Sequence, residues 1–345
     1  MRILICTGWT PFIEGGTELL ADSLRRELEK AGHQAAVYRV PFVTDPKDEI
    51  IKSYLACRLL DLSRTVPRID RIIALKFPAF VLPHPQKVVW LIQQYRQVYD
   101  LRGTEHSIFG ASPQDQDLRR AIYQMDRKGI GEAQRVLAIS QNVAGRLKRY
   151  NGLDATVAYP PPPQDGSYYL GGYGDYILSV GRLDPLKRVD RLVRAMGHVR
   201  SGVRCKIVGT GPEMQHLEQL AEKAKARDRI EFLGRVDDAA LIELYAGALA
   251  VFYGPYDEDY GLVTVEAMKS SKPVLTFEDS GGVVEFVRQG ETGYIIPTQD
   301  AAEALAELCD RLFLDRKQAE ALGARALERV AQIGWPTVLP QLLEG

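Results

Sequence analysis

The sequence predicts an α/β protein built from two doubly wound, Rossmann-like domains. Three observations predict it. Short β-rich runs alternate with amphipathic helical patterns along the chain, as expected of parallel sheets with helices on both faces. The run Pro160-Pro161-Pro162-Pro163, followed by Gln164-Asp165-Gly166-Ser167 and the turn residues Gly171, Gly172 and Gly174, interrupts that alternation and reads as a linker. Finally, 345 residues, 46% of them apolar and 26% charged, suffice for two separate cores.

The first half opens with a strand, Ile3 to Cys6. A loop ending Gly15-Gly16 leads into a helix whose Leu20, Leu24, Leu28 and Ala31 share one face, and Gly32 stops it. Further strands are expected at Ala35 to Tyr38, Arg71 to Leu75, Val88 to Ile92, Val136 to Ile139 and Thr156 to Tyr159. Ser140 is placed to cap a helix containing Val143 and Leu147. The stretch from Asp100 to Gln116 is rich in polar residues, Gly and Pro and reads as a loop.

After the linker come strands at Tyr176 to Val180, Cys205 to Val208, Ile230 to Leu233, Ala248 to Phe252, Val274 to Phe277 and Tyr294 to Ile296. Helices are expected about Val189 to Met196, Met214 to Ala226, Asp238 to Ala246 and Glu266, then Ala301 to Phe313 and Arg316 to Val330. The expected domains are therefore 1–165 and 166–330. Ligand-binding edges of such domains lie at the C-terminal strand ends, so a central cleft between the two is expected.

Composition excludes several classes. A net charge of -1 offers no basic footprint for nucleic acid. Cys6, Cys57, Cys205 and Cys309 are scattered, with no CxxC pair to suggest zinc or a disulfide frame. No window approaches the roughly 18 to 20 apolar residues of a spanning helix. Arg2 is followed only by a short strand-like run rather than a signal peptide, so a cytoplasmic protein is expected. Arg25 and Arg26 are interleaved with Glu27 and Glu29, which allows at most weak peripheral contact with a membrane.

The most informative segment runs from Tyr256 to Met268 and carries Glu258 and Glu266, separated by seven residues. Leu262, Val265 and Met268 share a helical face, putting Glu258 on a turn and Glu266 on the first turns of a helix. Between them lie helix N-terminal amides that favour a phosphate. Carboxylates accept from vicinal hydroxyls, so the pattern suits a sugar nucleotide: one carboxylate for a ribose, the other for a hexose.

Four segments together resemble the GT-B fold glycosyltransferases, specifically the fourth family of retaining nucleotide-sugar transferases, glycosyl transferases group 1. They are Gly15-Gly16, the run Ser179 to Lys187, the run Val208 to Glu213, and the paired-glutamate run. Gly334-Trp335-Pro336 resembles the start of a last helix, expected at 331–345, that in this family crosses back to the first domain. The resemblance implies a donor site formed by Gly15, Gly16, Gly181, Arg235, Val236, Asp259, Tyr260, Gly261, Leu262 and Glu266. Arg182 and Lys187 would neutralise a leaving diphosphate, while Glu258 would contact the donor sugar. Gly281-Gly282 resembles a second loop lining the donor. The dinucleotide fingerprint GxGxxG is missing from the first loop, which disfavours a dehydrogenase.

Asp257-Glu258-Asp259 has a rival reading, because Asp-x-Asp holds a divalent cation in an unrelated glycosyltransferase fold. Here Arg182 and Lys187 already supply positive charge, so neither metal nor cofactor is expected. The resemblance departs at one place. Many members carry a histidine after the strand Val88 to Ile92, where this chain has Gln93-Gln94-Tyr95-Arg96. Gln93 and Arg96 are therefore candidate contacts to the donor sugar or acceptor, and His84 is the nearest histidine in sequence. The acceptor is expected near Gly15, Lys87 and Arg96.

The resemblance implies transfer of a sugar, with retention, from a nucleotide sugar to a glycan, glycolipid or small molecule. A UDP-sugar is favoured and a GDP-sugar is the second choice. The alternatives are a weakened member acting as a nucleotide-sugar-binding subunit, motivated by Gln93, and a nucleotide-sugar epimerase on the same fold.

Overall fold

The structure, a computed structural model, describes residues 1–10, 15–104 and 107–344. These divide into two units. One takes Met1–Pro163 together with the chain from Gly334 onward, and the other takes Gln164–Ile333. The boundaries thus fall at 163/164 and 333/334, where the sequence reading sets 165/166 and 330/331.

The first unit contains β1 (Arg2–Trp9), α1 (Gly16–Lys30), β2 (Gln34–Pro41), α2 (Glu49–Leu59), β3 (Arg71–Lys76), β4 (Lys87–Gln93), α3 (Pro113–Gly131), β5 (Arg135–Ala138), α4 (Gln141–Asn151) and β6 (Thr156–Val157). Its strands are all parallel in the order β2-β1-β3-β4-β5-β6. Val88, Val89, Trp90 and Leu91 of β4 are fully buried, as a central parallel strand covered on both faces requires. The closing helix Trp335–Leu343 belongs to this unit. Its Trp335 ring meets Trp90 edge-on at 6.3 Å, and Arg71 donates to the Leu342 carbonyl at 3.1 Å.

Several expectations change here. Helices α2 and α3 are absent from the sequence reading. Residues 11–14, inside the expected loop before α1, and residues 105–106, inside the expected loop 100–116, lie outside the described residues. From Pro113 that second loop is already helix. Ser112 accepts from the Asp115 amide at 3.1 Å and Pro113 opens the first turn, an N-terminal signal hidden by the polar composition around it.

Lys87 is not available to an acceptor. It is fully buried at the start of β4, where its ammonium donates to the carbonyls of Phe80, Leu82 and Gly129, and burial lowers its pKa to about 8. His84 braces the turn before β4, its Nδ1 accepting from the Gln86 amide at 3.1 Å and its Nε2 lying 3.3 Å from the Ile69 carbonyl. It stands at the opposite end of β4 from Gln93. On α1, Arg25 pairs with Glu29 and Lys30 with Glu27, each at 2.7 Å.

The second unit contains β7 (Tyr176–Val180), α5 (Val189–Met196), β8 (Arg204–Val208), α6 (Met214–Lys223), β9 (Ile230–Gly234), α7 (Asp238–Gly247), β10 (Ala250–Phe252), α8 (Leu262–Lys269), β11 (Val274–Phe277), β12 (Gly293–Ile296), α9 (Ala301–Leu314) and α10 (Arg316–Val330). Its parallel strands run β12-β11-β10-β7-β8-β9. Ile177, Leu192, Cys205, Phe252, Leu275 and Leu305 belong to one core beneath them. Both units are Rossmann-like, the fold class the alternation predicts. No helix among the described residues is long and apolar enough to cross a membrane.

Candidate functional site

In the second sheet the strand order reverses between β7 and β10, and ligand crevices of open α/β sheets lie outside the C-terminal strand ends at such a point. Tyr253 follows β10 there and is 6% exposed. Its ring sits between two glycines: a Cβ on Gly261 would stand 3.1 Å from it and a Cβ on Gly181 would stand 4.0 Å away. Its hydroxyl accepts from Lys187 Nζ at 3.1 Å and donates to Glu258 Oε2 at 3.2 Å, and Lys187 also donates to that carboxylate oxygen. Lys187 and Glu258, assigned from sequence to diphosphate and sugar, are thus one ion pair, their side chains 21% and 22% exposed. Burial opposes the Lys187 charge, but Glu258 and Tyr253 outweigh it and hold the ammonium above the ordinary lysine range.

Glycines set the loops around this pair. A Cβ on Gly209, at φ +128, would lie 1.9 Å from the Gly181 carbonyl oxygen, and one on Gly211 would lie 2.1 Å from that of Leu183. The loop after β8 therefore packs directly on the Gly181–Leu183 loop, which carries the exposed Arg182. Gly209→Ala is expected to displace that loop and weaken nucleotide binding about tenfold, the scale of backbone strain of this kind. Calorimetric titration with UDP checks it, with circular dichroism confirming an intact fold.

Arg188 closes the frame. It pairs bidentately with Asp279 at 2.8 and 2.6 Å, donates to the Gly254 and Pro255 carbonyls, and lies over the Phe277 ring at 4.9 Å. On the other side, a Cβ on Gly282 would strike the Asp259 carbonyl oxygen at 2.5 Å, and the Gly282 amide donates to the Glu258 carbonyl at 2.7 Å. Gly281-Gly282 accordingly fixes the backbone of the run from Glu258 to Tyr260.

Helix α8 begins beside Tyr253. Gly261 caps it at φ +84 with no side-chain cap, and a side chain there would meet Val283 at 2.8 Å. Leu262 opens the helix. The amides of the first turn point their partial positive charge out of the N-terminus, and the Thr264 hydroxyl is buried without a hydrogen-bond partner. Glu266, one turn on and 9% exposed, accepts from the Tyr245 hydroxyl at 2.7 Å, with the Tyr168 hydroxyl nearby. Burial raises its pKa above the ordinary glutamate range, against the pull of the two hydroxyls.

The remaining expected residues fall as follows. Asp259 and Tyr260 are buried in the site run, at 6% and 3% exposure. Arg235 is exposed and Val236 half-buried after β9, in a loop whose Gly234 carbonyl accepts from the Gly209 amide at 2.8 Å. In the first unit Gly16 opens α1, but the Gly15 amide donates to Glu18 at 2.9 Å. That capping bond gives the Gly15 amide a partner within its own helix. Gln93 ends β4 half-buried, and Arg96 just beyond it pairs with Asp100 at 2.9 Å. Among the described residues no three His, Cys, Asp or Glu side chains gather as a metal ion would need.

Sequence reading misses Tyr168, Tyr245, Tyr253 and the clamp formed by Arg188. A tyrosine directly after β10 was the one available signal, since strand ends at a switch point carry ligand contacts.

Two Rossmann-like units in one chain, each a parallel six-stranded sheet with helices, are the fold class of the GT-B proteins. Residues 172–329, within the second unit, match the family described as glycosyl transferases group 1. The chain is 29% identical over 283 residues to a D-inositol 3-phosphate glycosyltransferase of Nocardia farcinica, covering 74% of this chain and 61% of the relative. It spans about three fifths of the length of the curated relatives it matches. Among solved structures, WaaG, a glycosyltransferase involved in lipopolysaccharide biosynthesis, superposes with TM-score 0.75 at 18% identity over 99% of this chain and 100% of its own. Anabaena Alr3699/HepE, solved in complex with UDP and glucose, gives TM-score 0.72 at 19% identity over 100% and 98%.

Proposed function

We propose that this chain moves a hexosyl group from a nucleotide sugar, a UDP-sugar before a GDP-sugar, to a carbohydrate, lipid-linked or small-molecule acceptor, with retention and without a metal. The observation that carries the reading is the convergence of Lys187, Tyr253 and Glu258 beside the uncapped N-terminus of α8, with Glu266 one turn further on. The complex of Anabaena Alr3699/HepE with UDP and glucose supports the choice of uridine.

Lys187 has three N–H donors, and two are engaged by Tyr253 and Glu258. The third, the exposed Arg182 guanidinium and the α8 amides are the groups proposed to meet the diphosphate. Glu266 would hold the ribose diol, while Glu258 and the backbone of Asp259, Tyr260, Gly261 and Leu262 would contact the donor sugar. Gln93 and Arg96, in the first unit, are candidate contacts to the donor sugar or the acceptor, as the resemblance implies. As the bond from the anomeric carbon to the phosphate oxygen breaks, negative charge grows on the diphosphate and positive charge on the sugar ring. The acceptor hydroxyl bonds to the anomeric carbon from the face the diphosphate leaves, and its proton passes to the departing phosphate oxygen. No enzymic nucleophile is needed.

Incubation with a panel of UDP- and GDP-sugars and bacterial lipid or glycan acceptors, read by mass and by proton NMR of the anomeric centre, tests this. Consumption of a nucleotide sugar with an α-configured product from an α-configured donor, at the same rate in excess chelator, is expected. An inverted product or a strict manganese requirement refutes the mechanism.

A further inference from the structure

Arg188 ends the loop between β7 and α5, directly after Lys187, and its guanidinium makes four hydrogen bonds to the loops that follow β10 and β11. Nε donates to the Gly254 carbonyl at 2.9 Å and Nη2 to the Pro255 carbonyl at 2.7 Å. The fork to Asp279 takes one further N–H from each of Nη1 and Nη2, at 2.8 and 2.6 Å. The Phe277 and Tyr256 rings lie 4.9 and 5.8 Å from the guanidinium carbon. Only 13% of the Arg188 side chain is exposed, so solvent screens these bonds little. The backbone here stands at φ +51, ψ 37, the left-handed region that residues with a side chain rarely adopt. Such a conformation persists where its surroundings over-determine it, and the guanidinium bonds do so. Backbone bonds join the same loops: the Tyr256 amide donates to the Leu186 carbonyl and the Asp257 amide to the Asp279 carbonyl, both at 2.8 Å. Glu258 comes next. Lys187 and Glu258, 71 residues apart in sequence, are thus brought to one place by loops that Arg188 ties together.

We propose that Arg188, held by Asp279, is a positioning residue for sugar transfer that acts through Lys187, fixing the loop from which the ammonium reaches Tyr253 and Glu258. This rests on the reading of Lys187 as a group that meets the diphosphate. A lysine head is a point charge on a flexible stem, and a donor stabilises developing charge best when it is in place before the bond breaks. Tyr253 and Glu258 hold the head of Lys187. Arg188 holds its backbone, one residue away, against the loop that carries both of those partners. Four of the five guanidinium N–H groups are engaged by Gly254, Pro255 and Asp279, which makes Arg188 a brace rather than a contact to the donor.

Initial rates of nucleoside diphosphate release from the panel of UDP- and GDP-sugars, measured on the full-length chain, test the proposal. Arg188→Gln is expected to lower kcat about 10- to 100-fold, the scale of a misplaced catalytic group. Donor KM should stay within about threefold of wild type. In the Lys187→Ala background the same substitution should cost less than about twofold, because a residue that acts through Lys187 has nothing left to position. A clamp that serves only stability would cost the same factor in both backgrounds. Arg188→Lys keeps the charge without the fork and should recover little. Asp279→Asn, which leaves the bonds to Gly254 and Pro255, is expected to lose about tenfold in kcat, again only when Lys187 is present. It carries the test if circular dichroism shows that Arg188→Gln does not fold. Arg194→Gln, at an exposed position on α5, should leave kcat within about twofold.

Unchanged kcat in the folded Arg188 and Asp279 variants, an equal loss in the two backgrounds, or full recovery by Arg188→Lys overturns the positioning role and leaves the glycosyltransferase reading standing. A Lys187→Ala chain that turns over at the wild-type rate overturns the Lys187 assignment and this proposal with it. A wild-type chain that releases diphosphate from no member of the panel overturns the proposed function as well.

Discussion

Lys187→Ala is expected to lower kcat by about 10²–10³-fold, the cost of removing one preorganised donor from a site of developing negative charge. Two effects act in the same direction. The variant loses the ammonium proposed to face the diphosphate, and it removes the positive charge that pairs with Glu258, whose side chain is 22% exposed, beside the incoming phosphates. Donor KM should change less, because the α8 amides, Arg182 and Glu266 still bind the ground state. Lys187→Arg should recover only part of the loss, since a planar guanidinium cannot occupy the same point between Tyr253 and Glu258. Initial rates over a range of donor concentration give the split between kcat and KM, and a Lys187→Ala enzyme turning over at the wild-type rate would remove this residue from the chemistry.

The second large effect is on stability and lies in the first unit. Asp126 is fully buried, accepting from the hydroxyls of Tyr54 at 2.7 Å and Tyr99 at 2.5 Å. Burial pushes its pKa up to about 7, against the pull of the two tyrosines. The folded chain therefore keeps a proton that the unfolded chain releases near the ordinary aspartate value. Stability contributed by this group is complete in acid and is lost as pH rises from about 4 to about 7, by at most about 4 kcal/mol. Asp126→Asn has a similar shape and no charge to bury. It should match wild type near pH 4 and exceed it in stability near pH 8. Urea denaturation at the two pH values measures the difference, and parallel pH profiles for the two proteins would contradict the assignment.

Neither site could have been completed from the sequence. Glu258, Glu266, Arg182 and Lys187 stood out because residue type, spacing and strand-end position are local signals. Their partners are not local. Arg188 carries no local signal of its role, yet it is bound bidentately to Asp279, which lies 91 residues on. Tyr245 reaches Glu266 from another helix, and the tyrosine pair around Asp126 spans 72 and 27 residues. Lys87 reads as an available cation and is instead enclosed by three carbonyls.

The apolar runs of β1, β4 and β7 and the glycine and proline punctuation were enough to determine the alternating order of strands and helices, because a parallel strand covered on both faces must be nearly continuous in apolar residues. The long polar helix α3 escaped that test, since only a few of its residues enter the core and its N-cap sits among other turn-formers. The tertiary structure decided what those side chains do. Pairing of Lys187 with Glu258, the bond from Tyr245 to Glu266 and the clamp of Arg188 on Asp279 are contests between neighbours brought together by folding, and their outcome depends on distance and burial, which residue order does not contain.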